Sequence, residues 1–271
     1  MNEPSFEPAE EEALLFLRAQ GFDVKPVPRS RELTPEFEAE LAGERYLFEV
    51  KARRDDEALD EIEPGEVLSQ SQHLFWSQGI LKNVRKAVRQ LRQHDPQHHR
   101  YWIVWLRAEA PIAGDAAEEQ IRGTLLGSCA VVDLATATEA GVSEKDCFYA
   151  QKGAFEQFPE LDAAVIATTG GYQMWVNEFG RPDQIIQSRL GRVFAGRGLN
   201  IPKEHDEAGR AYRMATTGGE RSEGVVQAYL RATYGLKMPI LLRFQSHRAL
   251  SMLPLENNIA DDRRAAHGGN P

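Results

Sequence analysis

The residues best suited to chemistry are two glutamates and a lysine, Glu36, Glu49 and Lys51. The segments on both sides of Ala42-Gly43 alternate polar and apolar side chains, which predicts a β-hairpin with a two-residue turn. That register places Glu36 opposite Glu49 on one face, with Cβ atoms about 5 Å apart. Lys51 projects from the same face, because side chains two residues apart on a strand share a face.

Opposed carboxylates repel each other unless a cation lies between them. Hard divalent cations such as Mg²⁺ prefer carboxylate oxygens, so Glu36 and Glu49 predict a site for Mg²⁺ or Mn²⁺. A lysine beside such a site can hold a water molecule and stabilise the negative charge that develops when a phosphodiester is attacked. The alternative is that the alternating Glu and Lys residues mark the solvent-exposed face of a hairpin and have no chemical role.

The elements around the hairpin follow from hydrophobic periodicity. Apolar residues at helical spacing predict helices over residues 10–20 and 77–93. A short extended run at 22–28 precedes the hairpin, and the apolar segment 101–106 predicts a buried strand. The predicted order is therefore helix, three strands, helix, strand.

A known family shares this combination of motif and element order. Pro35-Glu36, followed after twelve residues by Glu49-Val50-Lys51, resembles the PD-(D/E)xK signature of the restriction-endonuclease-like nuclease superfamily. The run from Glu10 through Gly21-Phe22 to that motif is especially similar to archaeal Holliday-junction resolvases and their bacterial relatives. The resemblance covers about residues 9–107, and it departs from the family pattern at Glu36, where Asp is usual.

The resemblance implies a Mg²⁺- or Mn²⁺-dependent endonuclease that hydrolyses the phosphodiester bonds of DNA or, as a second choice, RNA. Glu36 and Glu49 would hold the metal together with the backbone carbonyl of Val50. Glu10 would support the site, and Lys51 would orient the attacking water. Restriction, repair and phage defence are the pathways in which such enzymes work.

The second predicted helix carries candidate residues for nucleic-acid binding. Lys82, Lys86 and Gln90 are four residues apart and form one stripe beside the apolar one, and Arg85 and Arg89 lie near it. Cations in such a stripe are suited to contact phosphates. The alternative is that they form plain solvent-exposed surface.

The sequence after about residue 107 supports only a coarser prediction of structure. We expect a strand over 125–134 preceded by a helix over 116–122, and a second hairpin from strands 161–168 and 172–176. The predicted fold class is α/β, a restriction-endonuclease-like core with extra strands and a basic, helical C-terminal region. The expected divisions are a nuclease-like domain (1–180), a basic and mostly helical extension (181–254) and a disordered tail (255–271).

Composition restricts the class of protein. The 271 residues are 42% hydrophobic and 27% charged, which is a globular balance. The net charge of −9 hides two basic stretches, 81–110 at +5 and 181–250 at +6, which would form one basic surface if the fold joined them. No apolar run approaches the roughly 20 residues of a membrane helix, and the acidic N-terminus does not resemble a signal peptide. We therefore expect a cytoplasmic protein without a membrane partner, with Cys129 and Cys147 as reduced thiols.

Two other classes of function stay open at this level. The first is a nuclease-like fold that has lost catalysis and binds nucleic acid or protein. The second is an interaction protein whose acidic N-terminal half and basic segments bind a partner chain, which predicts no affinity for metal. A homodimer is compatible with each of these functions.

Overall fold

The structure is a computed structural model and describes residues 6–28, 34–54, 67–73, 75–109, 114–136, 143–196, 198–214, 221–242 and 245–251. It is a mixed α/β fold. The helices are α1 (Pro8–Ala19), α2 (Gln78–His94), α3 (Gly114–Leu126), α4 (Ala154–Gln157), α5 (Pro182–Gln187), α6 (Arg189–Phe194), α7 (Pro202–Glu207) and α8 (Glu223–Tyr234). The strands are β1 (Asp23–Pro26), β2 (Phe37–Leu41), β3 (Glu44–Arg54), β4 (Val67–His73), β5 (Tyr101–Glu109), β6 (Cys129–Asp133), β7 (Glu144–Phe148), β8 (Ala163–Thr168), β9 (Gly171–Val176), β10 (Leu199–Asn200), β11 (Ala211–Arg213), β12 (Pro239–Leu242) and β13 (Gln245–Ser251).

A seven-stranded mixed sheet forms the centre of the fold, in the order β1-β2-β3-β5-β8-β9-β10. Strands β1 to β3 form an antiparallel meander, whereas β5 is parallel to both β3 and β8. The chain crosses from β3 to β5 through β4 and α2, because two parallel neighbours cannot be joined by a tight turn. The order helix, three strands, helix, strand is therefore present, with β4 inserted before the second helix.

The predicted first hairpin is confirmed in its register. Ala42 and Gly43 have φ values of 51° and 84°, as a two-residue turn with both central residues left-handed requires. Phe37 pairs with Phe48, so the pairing is the one that opposes Glu36 and Glu49. The Glu36 N–H donates to the Phe48 carbonyl at 3.0 Å, which extends the ladder beyond the strand.

Two hydrophobic cores cover the two faces of this sheet. Phe48 and Val50 face a core with α1, α5 and α6, whereas Leu47 faces a second core with α2 and α3. Since side chains alternate along β3, Glu49 and Lys51 share the face that α2 covers. The basic residues of α2 and those of α6 therefore lie on opposite faces of the sheet and do not form a single basic surface.

The chain after residue 110 differs in part from the prediction. The second hairpin is confirmed as β8 and β9. The strand predicted from residue 125 begins only at Cys129, because Leu125 and Leu126 complete α3 and are buried there. Gly127, with φ 62°, ends the helix in the left-handed conformation. A short apolar run does not by itself distinguish the end of a helix from the start of a strand.

The basic C-terminal region is less helical than predicted. In the described residues it contributes the helices α5 to α8 and also four strands, β10 to β13. Each of these strands pairs with a strand that precedes residue 180. A four-stranded sheet has the order β11-β7-β6-β12, and β13 pairs with β4. The predicted disordered tail, 255–271, lies outside the described residues. In the described part of the chain, no helix is both long enough and apolar enough to cross a membrane.

Helix α3 packs tightly on the segment that leads into α2. The Ser77 N–H donates to Thr124 Oγ1 at 2.9 Å, and the Ser77 side chain caps α2 by accepting from the Ile80 N–H. A Cβ atom on Gly123 would lie 2.3 Å from the Phe75 carbonyl oxygen. The absence of a side chain at Gly123 therefore allows the two elements to touch.

We expect Gly123→Ala to lower the free energy of unfolding by about 1–3 kcal/mol, because the new methyl group overpacks this contact. Gly224→Ala is the matched control, since a Cβ on this glycine of α8 would meet nothing within 4 Å. The control should gain up to about 1 kcal/mol from helix propensity. Urea unfolding measures both changes, and equal shifts in the two variants would contradict the close packing.

Candidate active site

Strands β2 and β3 bring together the three residues that the sequence singled out. The Lys51 ammonium contacts Glu49 Oε1 and lies 3.9 Å from Glu36 Oε1. The group lies at the end of the hairpin away from its turn, on the face that α2 covers. The register derived from the two-residue turn is the reason that two glutamates with twelve residues between them meet here.

This group is not a solvent-exposed face of the hairpin. The Glu49 side chain is 0% exposed, and those of Lys51 and Glu36 are 17% and 18% exposed. Glu49 pairs in register with Val104 of β5, which belongs to the α2-side core. Solvent therefore reaches Glu36 and Lys51, whereas Glu49 lies at the buried side of the group.

The electrostatics of the group are dominated by the burial of Glu49. Loss of solvation raises the pKa of Glu49 to about 9, from an ordinary value of 4.5. The neighbouring Glu36 carboxyl also raises this pKa, whereas the Lys51 ammonium lowers it. Glu49 therefore binds a proton more strongly than an ordinary glutamate, and a cation at the site would compete with that proton.

Among the described residues, buried carboxylate oxygens of the group have partners only within the group. Glu36 Oε2 and both oxygens of Glu49 are buried, and apart from the contacts within the group they have no hydrogen-bond partner among the described residues. Such atoms are costly to bury, and they are also the ligands that Mg²⁺ and Mn²⁺ prefer. The donor chemistry of Glu36 and Glu49 therefore fits a divalent cation.

The ligand set is small. Over the residues that the structure describes, no group of three or more His, Cys, Asp and Glu side chains has an arrangement that could hold a metal ion. Two carboxylates would thus be the side-chain ligands. The Val50 side chain is buried in the core on the other face, and its backbone carbonyl stays a predicted ligand.

Glu10 lies in the first turn of α1, on the other side of the sheet from Glu49. It is buried, and its Oε2 accepts a hydrogen bond from the Glu7 N–H at 3.0 Å, which caps the helix. The first turn of α1 nevertheless lies near the end of β2 that is next to Glu36. The ring of Phe6, just before the helix, packs on the ring of Phe37, with their centroids 5.7 Å apart. A supporting role for Glu10 stays a prediction.

Sequence reasoning missed the ion pair that anchors α1 to β5. Arg107 Nη1 donates to Glu12 Oε1 at 2.6 Å. Arg107 pairs in register with Ala52, directly after Lys51. The separation of Glu12 and Arg107 along the chain left no local pattern that could have revealed the pair.

The candidate residues of α2 divide into one buried and four exposed side chains. Gln90 is buried, and its Nε2 donates to the Thr34 carbonyl at 2.9 Å, which ties the segment before Glu36 to α2. The exposed side chains are those of Lys82, Arg85, Lys86 and Arg89. Lys86 lies four residues before Gln90, or about 6 Å along the helix axis, on the same stripe.

A second tie between α2 and β2 was also missed. His94 Nε2 lies 2.8 Å from Glu38 Oε1, and Arg100 Nη2 lies 3.3 Å from the same oxygen. Glu38 is two residues after Glu36 on the same face of β2. The spacing of four between Gln90 and His94 was the available signal, since it continues the Lys82-Lys86-Gln90 stripe.

Comparisons with known proteins identified no relative of this chain. No protein-family model, curated protein or solved structure matches the chain.

The raised pKa of Glu49 predicts how stability depends on pH. Between about pH 4.5 and 9, the unfolded chain has lost the Glu49 proton while the folded protein retains it. Stability should therefore fall as the pH rises through this window, by up to about 1.4 kcal/mol per pH unit. Glu49→Gln removes this contribution, so its unfolding free energy should fall less between pH 5 and pH 9 than that of the wild type.

Glu40→Gln serves as the control, because Glu40 is an exposed acid on β2. Urea unfolding at a series of pH values gives the slopes for the three proteins. The control should keep the wild-type slope. A wild-type slope in Glu49→Gln would show that the buried carboxyl titrates as an ordinary glutamate.

Proposed function

We propose that the protein is a metal-dependent nuclease that hydrolyses phosphodiester bonds. The observation that carries the proposal is a buried carboxyl, Glu49, beside a second carboxyl and an ammonium, with buried carboxylate oxygens that have no partner outside the group among the described residues. The order α1, β1 to β3, α2, β5 and the resemblance of Glu49-Val50-Lys51 to the PD-(D/E)xK motif support this proposal.

Glu36 and Glu49 would hold one Mg²⁺ or Mn²⁺, with the Val50 carbonyl as the further ligand that the resemblance implies. When bound, the cation would act as a Lewis acid on a phosphate oxygen and lower the pKa of a bound water. Glu49, as the fully buried ligand, would fix the position of the site. Glu36 would complete it on the side that solvent and substrate reach.

Lys51 is suited to the part of the reaction that needs a positive charge. Its ammonium has three N–H donors and lies between the two carboxylates, where it is partly exposed. It would donate a hydrogen bond to the attacking water and stabilise negative charge on the phosphate. Because β3 and its neighbours fix the ammonium in place, little reorganisation is needed when that charge develops.

DNA is the proposed substrate, with RNA as the second choice. The exposed cations of α2 (Lys82, Arg85, Lys86 and Arg89) lie on the helix that covers this face of the sheet. The Gln90 contact with Thr34 sets the position of the helix relative to the segment before Glu36. The stripe through Lys86 and Lys82 would therefore guide a phosphate backbone past the site.

A catalytically inactive binding module is the second candidate. The Lys51 ammonium already partners Glu49, and Glu10 serves as a helix cap, so only two acids remain for a metal. Such a module would bind nucleic acid or protein and would not cleave. Cleavage separates the two candidates directly.

We expect the wild type to cleave plasmid or single-stranded DNA with Mg²⁺ or Mn²⁺, and Lys51→Ala to be slower by a factor of about 10² to 10³, as is typical for loss of one preorganised electrostatic group. Lys25→Ala is the control, since the Lys25 side chain on β1 is 74% exposed. RNA of the same length tests the second substrate. Single-turnover cleavage by protein free of host nuclease gives the rates.

Calorimetric titration with Mn²⁺ complements the cleavage assay. Lys51→Ala should still bind the metal, Glu49→Ala should not, and Glu36→Ala should bind it more weakly. Metal bound by the wild type without any cleavage would favour the inactive module. Unchanged cleavage in Lys51→Ala would show that the chemistry lies elsewhere in the protein.

The α2 surface predicts how DNA binding depends on salt. The affinity should fall with a log–log slope of about −0.9 per phosphate neutralised. Lys82→Glu/Lys86→Glu should weaken binding and make this slope shallower. Arg189→Glu/Arg192→Glu is the matched control, because these exposed arginines belong to α6 on the opposite face. Fluorescence anisotropy measures both, and equal effects would assign the DNA to another surface.

A further inference from the structure

The two cysteines of the chain face each other across a strand pair. Cys129 of β6 and Cys147 of β7 are direct partners in the antiparallel register. Neither is in a disulfide, both are buried, and both belong to the core on the α2 side of the main sheet, so their side chains lie on the same face. Their separation along the chain conceals this arrangement in the sequence.

The strand geometry places the pair within reach of a covalent bond. Directly opposed residues in antiparallel strands have Cα atoms about 4.5–5.5 Å apart. A disulfide spans Cα separations of about 4.4–6.8 Å. We propose that Cys129 and Cys147 are a modification site that forms a reversible disulfide between β6 and β7 when the protein meets a low-molecular-weight disulfide such as oxidised glutathione. This inference does not depend on the nuclease function.

The backbone holds the thiols opposed before any oxidation. The Tyr149 N–H donates to the Leu126 carbonyl at 3.0 Å, and the Gln151 N–H donates to the Gly127 carbonyl at 2.9 Å. A Cβ on Gly127 would lie 2.0 Å from the Gln151 carbonyl oxygen, so the two chain segments touch at this end. The two segments are therefore held together beside the cysteine pair.

The proposed reaction is two thiol–disulfide exchanges. The Cys129 thiolate attacks one sulfur of oxidised glutathione, which forms a mixed disulfide and releases one glutathione. The Cys147 thiolate then attacks Cys129 Sγ and releases the second. The two cysteine protons end on the two glutathione thiols, and the two electrons of the cysteine pair reduce the glutathione disulfide.

Burial determines the order and the speed of these steps. Cys129 is 6% exposed and Cys147 is 0% exposed, so the external disulfide meets Cys129 first. Burial also raises the pKa of the Cys147 thiol, which keeps it protonated at neutral pH. The exchange should therefore be slow, since it requires local opening of the sheet, and faster at higher pH.

The test is oxidation of the folded protein. Reduced protein is incubated with excess oxidised glutathione at pH 8, quenched with acid and analysed by intact mass and by tryptic digestion. Trypsin cuts after Arg122, Lys145 and Lys152, which puts the cysteines in separate peptides, 123–145 and 146–152. We expect the intact chain to lose two hydrogen masses, and the two peptides to be joined until a thiol reductant separates them.

Cys129→Ser and Cys147→Ser are the matched controls, and neither should lose the two hydrogens. Cys147→Ser should stop at the mixed disulfide and gain the mass of one glutathione less two hydrogens. Circular dichroism checks that the oxidised wild type stays folded. A bridge that forms only in urea, or a chain-to-chain disulfide in place of the internal one, would overturn the proposal. So would two thiols that both remain open to alkylation after oxidation.

Discussion

A carboxyl group without access to water is the constraint on which the site depends. Glu49 is fully buried in the central sheet, and an isolated charge there would be very costly. The structure limits this cost in two ways, by the Lys51 ammonium and by a pKa that favours the protonated form. In either case a bound cation could replace the proton on Glu49 or the contact with Lys51. This property makes the group a candidate active site.

The parts of the fold that surround this carboxyl hold its partners in place. The turn at Ala42-Gly43 sets the register that opposes Glu36 to Glu49. The contacts of Gln90 and His94 then tie both sides of Glu36 to α2. Helix α2 therefore has two roles: its buried stripe fixes the segment that carries Glu36, and its exposed stripe presents cations to solvent.

The parts of the structure that the sequence predicts well are those with local causes. The hairpin, the helices α1 and α2 and the Glu36–Glu49–Lys51 group follow from alternation, turn chemistry and helical spacing over short distances. The Glu12–Arg107 pair and the Cys129–Cys147 pair depend on which strands become neighbours, and no local pattern contains that information. The short strands of the C-terminal region were missed for a similar reason, because β10 to β12 are two to four residues long and take their partners from distant segments.

The pairing of β4 with β13 has a consequence for the order in which the chain folds. The hairpin that carries Glu36 and Glu49 can close as soon as its residues leave the ribosome, because its partners are neighbours in sequence. Strand β4 precedes α2, yet its partner β13 is the last strand described. Contacts with so large a sequence separation form slowly. During synthesis, the candidate catalytic hairpin should therefore form before β4 can pair with β13.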